Sequence, residues 1–140
     1  MFKRILLAAE GSNHSKRAME KALFLAKNTE ESSITLIHVV DDIPGRKEIV
    51  DKDVKMKEVP EDMKQRTKEI EDVIRKEDVI LYTKHMYGDP GPSIIREANS
   101  GEYDIVVIGS RGLNPLQEMV LGSVSHKVAK RVNCPVLIIK

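Results

Sequence analysis

The chain is short of the residues that cross-link or punctuate a fold. Cys134 is its only cysteine, which excludes an intramolecular disulfide framework and a thiolate metal cluster. Glycine and proline, 8 and 6 residues, are too few for collagen-like or low-complexity sequence. Charge of one sign is lacking as well: 23 basic residues against 22 acidic leave +1. Nucleic-acid binding by bulk positive charge is thereby excluded. No apolar run reaches the ~18 residues that a membrane span needs. The apolar stretch after Met1-Phe2-Lys3-Arg4 stops at Glu10 and is too short for a signal-peptide core. A single soluble, cytoplasmic domain over residues 1–140 is expected, with neither membrane nor nucleic acid as partner. The standard nucleotide fingerprints are missing too. There is no G-x-x-x-x-G-K-[ST] and no G-x-G-x-x-G, which removes the P-loop NTPases and the usual dinucleotide binders.

What is present is a regular alternation of two kinds of segment. Ile5-Leu6-Leu7-Ala8-Ala9 has the length of a buried strand. Ser12 or Asn13 can cap the helix that follows, where Ala18, Met19, Ala22, Leu23 and Ala26 recur at helical spacing from Ser15 to Asn28. Ile34 to Val40 is a β-branched strand. Residues 41–78 hold 13 acidic and 10 basic side chains among 38. Their first half, Asp41 to Val59, reads as a solvated loop. Pro60 then opens a helix with one narrow stripe, Met63, Thr67, Ile70 and Ile74.

Val79 to Met86 is a third strand, whose Lys84 and His85 point to an end near water. A turn at Gly88-Asp89-Pro90-Gly91-Pro92 leads into a short helix that Pro92 can start. Ile105 to Ile108 is a buried strand, Val124, Val128 and Val132 mark a last helix, and Val136 to Ile139 a last strand. Helices between apolar strands imply right-handed crossovers and a parallel sheet. The fold class is therefore α/β, a doubly wound sandwich, although periodicity does not give the strand order.

Ligands of such sheets bind beyond the carboxyl ends of the strands. Gly109 and Gly112 flank a turn just past a buried strand, and Gly122 and Ser123 open the final helix. Glycines admit a close anion, a helix N-terminus offers free N–H groups, and the Ser123 and Ser125 hydroxyls are further donors. The alternative is that these glycines only supply left-handed turns. His14, His38, His85 and His126 have no ligand spacing and no cysteine or second histidine near them in the chain, so metal binding is not expected. Cys134, at the start of an apolar strand, reads as a buried small residue rather than a reactive thiol. No Ser/His/Asp constellation has a motif around it.

The spacing Gly109-x₂-Gly112-x₉-Gly122-Ser123 resembles the G-x₂-G-x₉-G-[ST] signature of ATP-binding universal stress proteins. The likeness extends over the chain through Ala8-Ala9-Glu10-Gly11-Ser12, Leu36 to Val40, Gly88-Asp89-Pro90, Ile105 to Gly112, Leu121 to Ser125 and Cys134 to Ile139. The resemblance implies five parallel strands in the order 3-2-1-4-5. It also implies ATP, accompanied by Mg²⁺, as ligand of a regulatory module. Val39 would then lie against the base, and Ala8, Ala9 and Glu10 would line base and ribose. Gly109, Arg111 and Gly112 would border ribose and phosphates, with Gly122, Ser123, Val124 and Ser125 around the triphosphate.

The family usually has Asp where this chain has Glu10, one methylene longer. Glu10 either serves a ribose hydroxyl or a metal-bound water, or is a solvated charge. Nothing in the phosphate loop is an evident general base, so hydrolysis would be slow at most. The last strand would be the sheet edge, and the resemblance implies a homodimer through it. The rival reading is a nucleotide-free stress protein acting as a dimeric interaction surface.

Overall fold

The computed structural model describes residues 2–9, 13–40, 61–110 and 122–140, and of Asn13, His14, Val40, Asp62, Met63, Arg66 and Ser123 the backbone alone. In chain order the elements are β1 (Arg4–Ala8), α1 (Asn13–Lys27), β2 (Ser33–Val40), α2 (Glu61–Lys76), β3 (Ile80–Tyr87), α3 (Pro90–Ser100), β4 (Ile105–Gly109), α4 (Ser123–Arg131) and β5 (Val136–Ile139). The strands form one sheet in the order β3-β2-β1-β4-β5, every pairing parallel. This is the doubly wound α/β architecture expected, with its strand order.

Two cores lie on opposite faces of the sheet. Ile5, Leu7, Ile34, Leu36, Ile105 and Val107 pack against α1 and α2. Leu6, Ala8, Ile37, Met86, Val106 and Ile108 pack against α3 and α4. Alternate side chains of each strand point to opposite faces, which is why the strands of an interior parallel sheet read as unbroken apolar runs. The α2 stripe behaves as its spacing requires. Thr67, Ile70 and Ile74 are all buried.

Two expectations are corrected. The helix of the Gly-Asp-Pro turn starts at Pro90, not Pro92, with Asp89 as its cap residue. Pro90 and Pro92 both sit within the first turn, where a missing N–H costs no helical bond. The first i→i−4 bond, Ser93 N to the Asp89 carbonyl at 3.1 Å, lies just beyond them. Gly88 in the preceding turn has φ +124°, a conformation that favours glycine. The wet end of β3 is also its beginning rather than its end. Ile80 and Tyr82 are exposed, whereas Met86 and Tyr87 are buried.

The polar residues that suggested water at that end are only partly exposed and both are tied to neighbouring elements. Lys84 pairs with Glu97 of α3 at 2.9 Å, and the Glu97 side chain is only 9% exposed. Its other oxygen accepts the Tyr103 hydroxyl at 2.7 Å. Burial and this carboxylate push the Tyr103 pKa up to about 12. Residues 41–59, read from the sequence as a loop, and Pro60 lie outside the described residues.

Candidate functional site

The chain winds outward in both directions from the middle of the sheet. β1, β2 and β3 progress to one side, whereas β4 and β5 progress to the other, so β1 and β4 flank the switch point. The helices that follow these two strands, α1 and α4, pack on opposite faces of the sheet, and in doubly wound sheets ligands bind in the crevice above the carboxyl ends at such a point. Register sets what meets there. Ala8 pairs with Ile37 of β2 on one side and Ile108 of β4 on the other. Ala9 and Gly109 therefore stand one residue past those pairs, and Val39 stands two past on β2.

Ala8 and Ala9, small side chains at the carboxyl end of β1, are buried. Val39 is partly buried against the α3/α4 core. Gly109 closes β4 opposite Ile139. Gly122 is buried and is the cap residue of α4 at φ −60° and ψ 155°, with no side-chain cap. Its carbonyl accepts the first helical bond, from His126 N at 2.9 Å. The N–H groups of Ser123, Val124 and Ser125 precede that bond and have no intrahelical partner. Such a terminus favours negative charge. Val124 packs against the α3/α4 core.

Glycine at 122 is not there for its backbone angles. A φ of −60° suits any L-residue, so the left-handed-turn reading fails at this position. Ser125, only 1% exposed, donates its hydroxyl to the Gly109 carbonyl at 2.9 Å. That bond joins the end of β4 to the first turn of α4. The structure thus brings Ala8, Ala9, Gly109, Gly122, Val124 and Ser125 to one end of the sheet, with Val39 on the adjacent strand. Glu10, Arg111 and Gly112 lie outside the described residues, and for Ser123 only the backbone is placed.

Sequence reading missed one cluster. His38 and His85, 47 residues apart, are register partners on β2 and β3. Their Nδ1 atoms lie 3.1 Å apart and the rings meet edge to face. One Nδ1 carries the proton and the other accepts it. Burial lowers the His85 pKa, and the Glu71 carboxylate raises it by less. The β2–β3 register carries this pairing, and no local spacing signals it. Among the described residues no group of three or more His, Cys, Asp or Glu is placed to hold a metal. Burial raises the Cys134 pKa, which keeps it a thiol rather than a reactive thiolate. No helix among the described residues is long and apolar enough to cross a membrane.

Comparison with known proteins bears on these observations. The sequence profile of the universal stress protein family matches residues 1–140. Universal stress protein YxiE of Bacillus subtilis is 33% identical over 157 aligned positions, which cover 100% of both chains. The structure of MJ0577, a universal stress protein of Methanocaldococcus jannaschii, superposes with a TM-score of 0.79 at 26% identity and covers 100% of this chain and 96% of that one. A family protein of Arabidopsis thaliana solved with AMP bound gives a TM-score of 0.69 at 25% identity, covering 99% of this chain and 91% of its own. Sequence profile, full-length relatives and fold agree: the chain belongs to the universal stress protein family.

Proposed function

We propose that this chain is an adenine-nucleotide-binding regulatory module whose ligand is ATP accompanied by Mg²⁺. The observation that carries the reading is Gly122. It is a buried glycine at a helix N-terminus beside the switch point, and its backbone angles do not require glycine. A side chain there would occupy space that an approaching phosphate needs. The AMP-bound Arabidopsis relative supports an adenine nucleotide in this fold.

In this reading Val39 borders the base, and Ala8, Ala9 and Glu10 border base and ribose. Gly109, Arg111 and Gly112 approach ribose and phosphates, while the N–H groups of Ser123, Val124 and Ser125 face the phosphates from α4. The Mg²⁺ arrives with the phosphates and offsets their charge. In this reading the nucleotide acts as a conformational ligand, hydrolysed slowly at most, and its effect is limited to its differential affinity for the states it selects between. Mass spectrometry of ligand released from purified protein tests this. Recovered ATP supports the reading, and an acyl-adenylate would point to an adenylating enzyme.

A second element of the reading is a homodimer through β5. Val136, Leu137, Ile138 and Ile139 are all only partly buried and form an edge of the sheet. An apolar edge strand is a template for further pairing. Antiparallel, two-fold pairing with the same strand of a second copy covers it symmetrically. Dimerisation without nucleotide is the rival function, and empty protein that is nonetheless dimeric would favour it.

A further inference from the structure

We infer that the Ser125 hydroxyl positions the crevice and is not itself a phosphate ligand, a role left to the backbone N–H groups of the α4 N-terminus; this inference rests on the nucleotide-binding reading above. A serine hydroxyl has one proton to give. Here that proton goes to the Gly109 carbonyl at 2.9 Å, and the residue is 1% exposed. A hydroxyl so engaged turns only lone pairs toward an anion, which repel it.

The position of the acceptor shows what the bond accomplishes. Val106 N donates to the Pro135 carbonyl at 2.9 Å and Ser110 N to the Ile139 carbonyl at 2.6 Å. The even-numbered residues of β4 therefore face β5. N–H and C=O of one strand residue point the same way, so Gly109 turns its carbonyl toward β1. The β1–β4 pairing ends at Ala8 and Ile108, one residue short of Gly109. Just where the two strands part, the Ser125 hydroxyl takes the place of a ladder donor. It fastens the first turn of α4 to the floor of the crevice. Two things are fixed by one bond: the direction of the Gly109 carbonyl, and the height of the α4 N–H groups above β4.

Loss of the bond should loosen the phosphate end of the site and leave the base end, built on β1 and β2, in place. The test compares wild type with Ser125→Ala and Ser125→Thr, the second keeping a hydroxyl. Calorimetry should find ATP affinity about tenfold weaker in Ser125→Ala, the loss of roughly one hydrogen bond's worth. Adenosine affinity should stay within about twofold, and Ser125→Thr should recover ATP binding. The Gly109 carbonyl ¹³C signal should shift in Ser125→Ala and return in Ser125→Thr, in nucleotide-free and ATP-bound protein alike; a hydroxyl recruited by phosphate would lose that difference once ATP binds, which would overturn the inference.

An unshifted Gly109 signal in free Ser125→Ala would overturn the inference. So would an equal loss of ATP and adenosine affinity, which marks a purely structural role. If Ser125→Ala shifts the signal yet binds ATP like wild type, the positioning role fails while nucleotide binding stands. Wild-type protein that takes up no adenine nucleotide refutes the binding reading itself.

Discussion

Substituting Gly122 separates a glycine kept for the fold from one kept for a ligand. At φ −60° and ψ 155° a valine adopts the backbone without strain, since both angles fall in the β and polyproline regions. The folding cost is then the loss of cap preference from glycine to a β-branched residue, about 1 kcal/mol. For a chain of this size that lowers Tm by about 3 °C. The effect on binding should be far larger. If the α4 N-terminus receives the phosphates as proposed, a branched side chain at its cap obstructs them, and we expect Gly122→Val to weaken ATP at least about 100-fold, or ~2.7 kcal/mol. Thermal unfolding by circular dichroism and calorimetric titration with Mg-ATP measure the two effects separately. A variant that binds ATP like wild type would refute the phosphate role. A Tm lowered by tens of degrees would show instead that the fold itself needs this glycine.

Other parts of the molecule make independent predictions. Ile138→Lys, or Leu137→Lys on the opposite face of β5, should convert a dimer to a monomer in analytical ultracentrifugation; wild type that sediments as a monomer at tens of micromolar contradicts the dimer. Tyr103→Phe removes the hydroxyl that Glu97 accepts at 2.7 Å and should cost about 2 kcal/mol in urea unfolding, whereas a loss below about 0.5 kcal/mol would show the tie to be superfluous. The lowered pKa of His85 means that the unfolded chain binds a proton there more readily than the folded one. Its contribution to stability is present above the ordinary imidazole value of about 6.5 and is lost as pH falls through the folded value. His85→Gln should flatten the decline of Tm below that pH, and an unchanged decline would assign acid sensitivity to other groups.

The fold was legible because its central strands are buried on both faces. Ile5 to Ala9 and Ile105 to Ile108 carry apolar side chains at every position, which only an interior strand with helices on both faces can use. The α2 stripe was legible for the complementary reason, one apolar position per turn on a helix packed on one side. The glycine spacing singled out the end of β4 and the start of α4, and the family resemblance supplied the strand order that periodicity lacks. Charge misled at β3. Lys84 and His85 read as solvated in sequence and are in fact half-exposed and paired, and their partners Glu97 and His38 lie 13 and 47 residues away. Only the register brings His38 across from His85. Ser125 shows the same limit at the site. Its residue type suggests a donor to phosphate, and only the position of the Gly109 carbonyl shows where the proton goes.

Calorimetric titration of Mg-ATP into wild-type protein first stripped of bound ligand tests nucleotide binding most directly. Binding should saturate at one nucleotide per chain and be tighter for ATP than for adenosine, because the proposed site offers the α4 N-terminus to the phosphates. Heats no larger than dilution at millimolar ATP would contradict it, and so would equal affinity for ATP and adenosine.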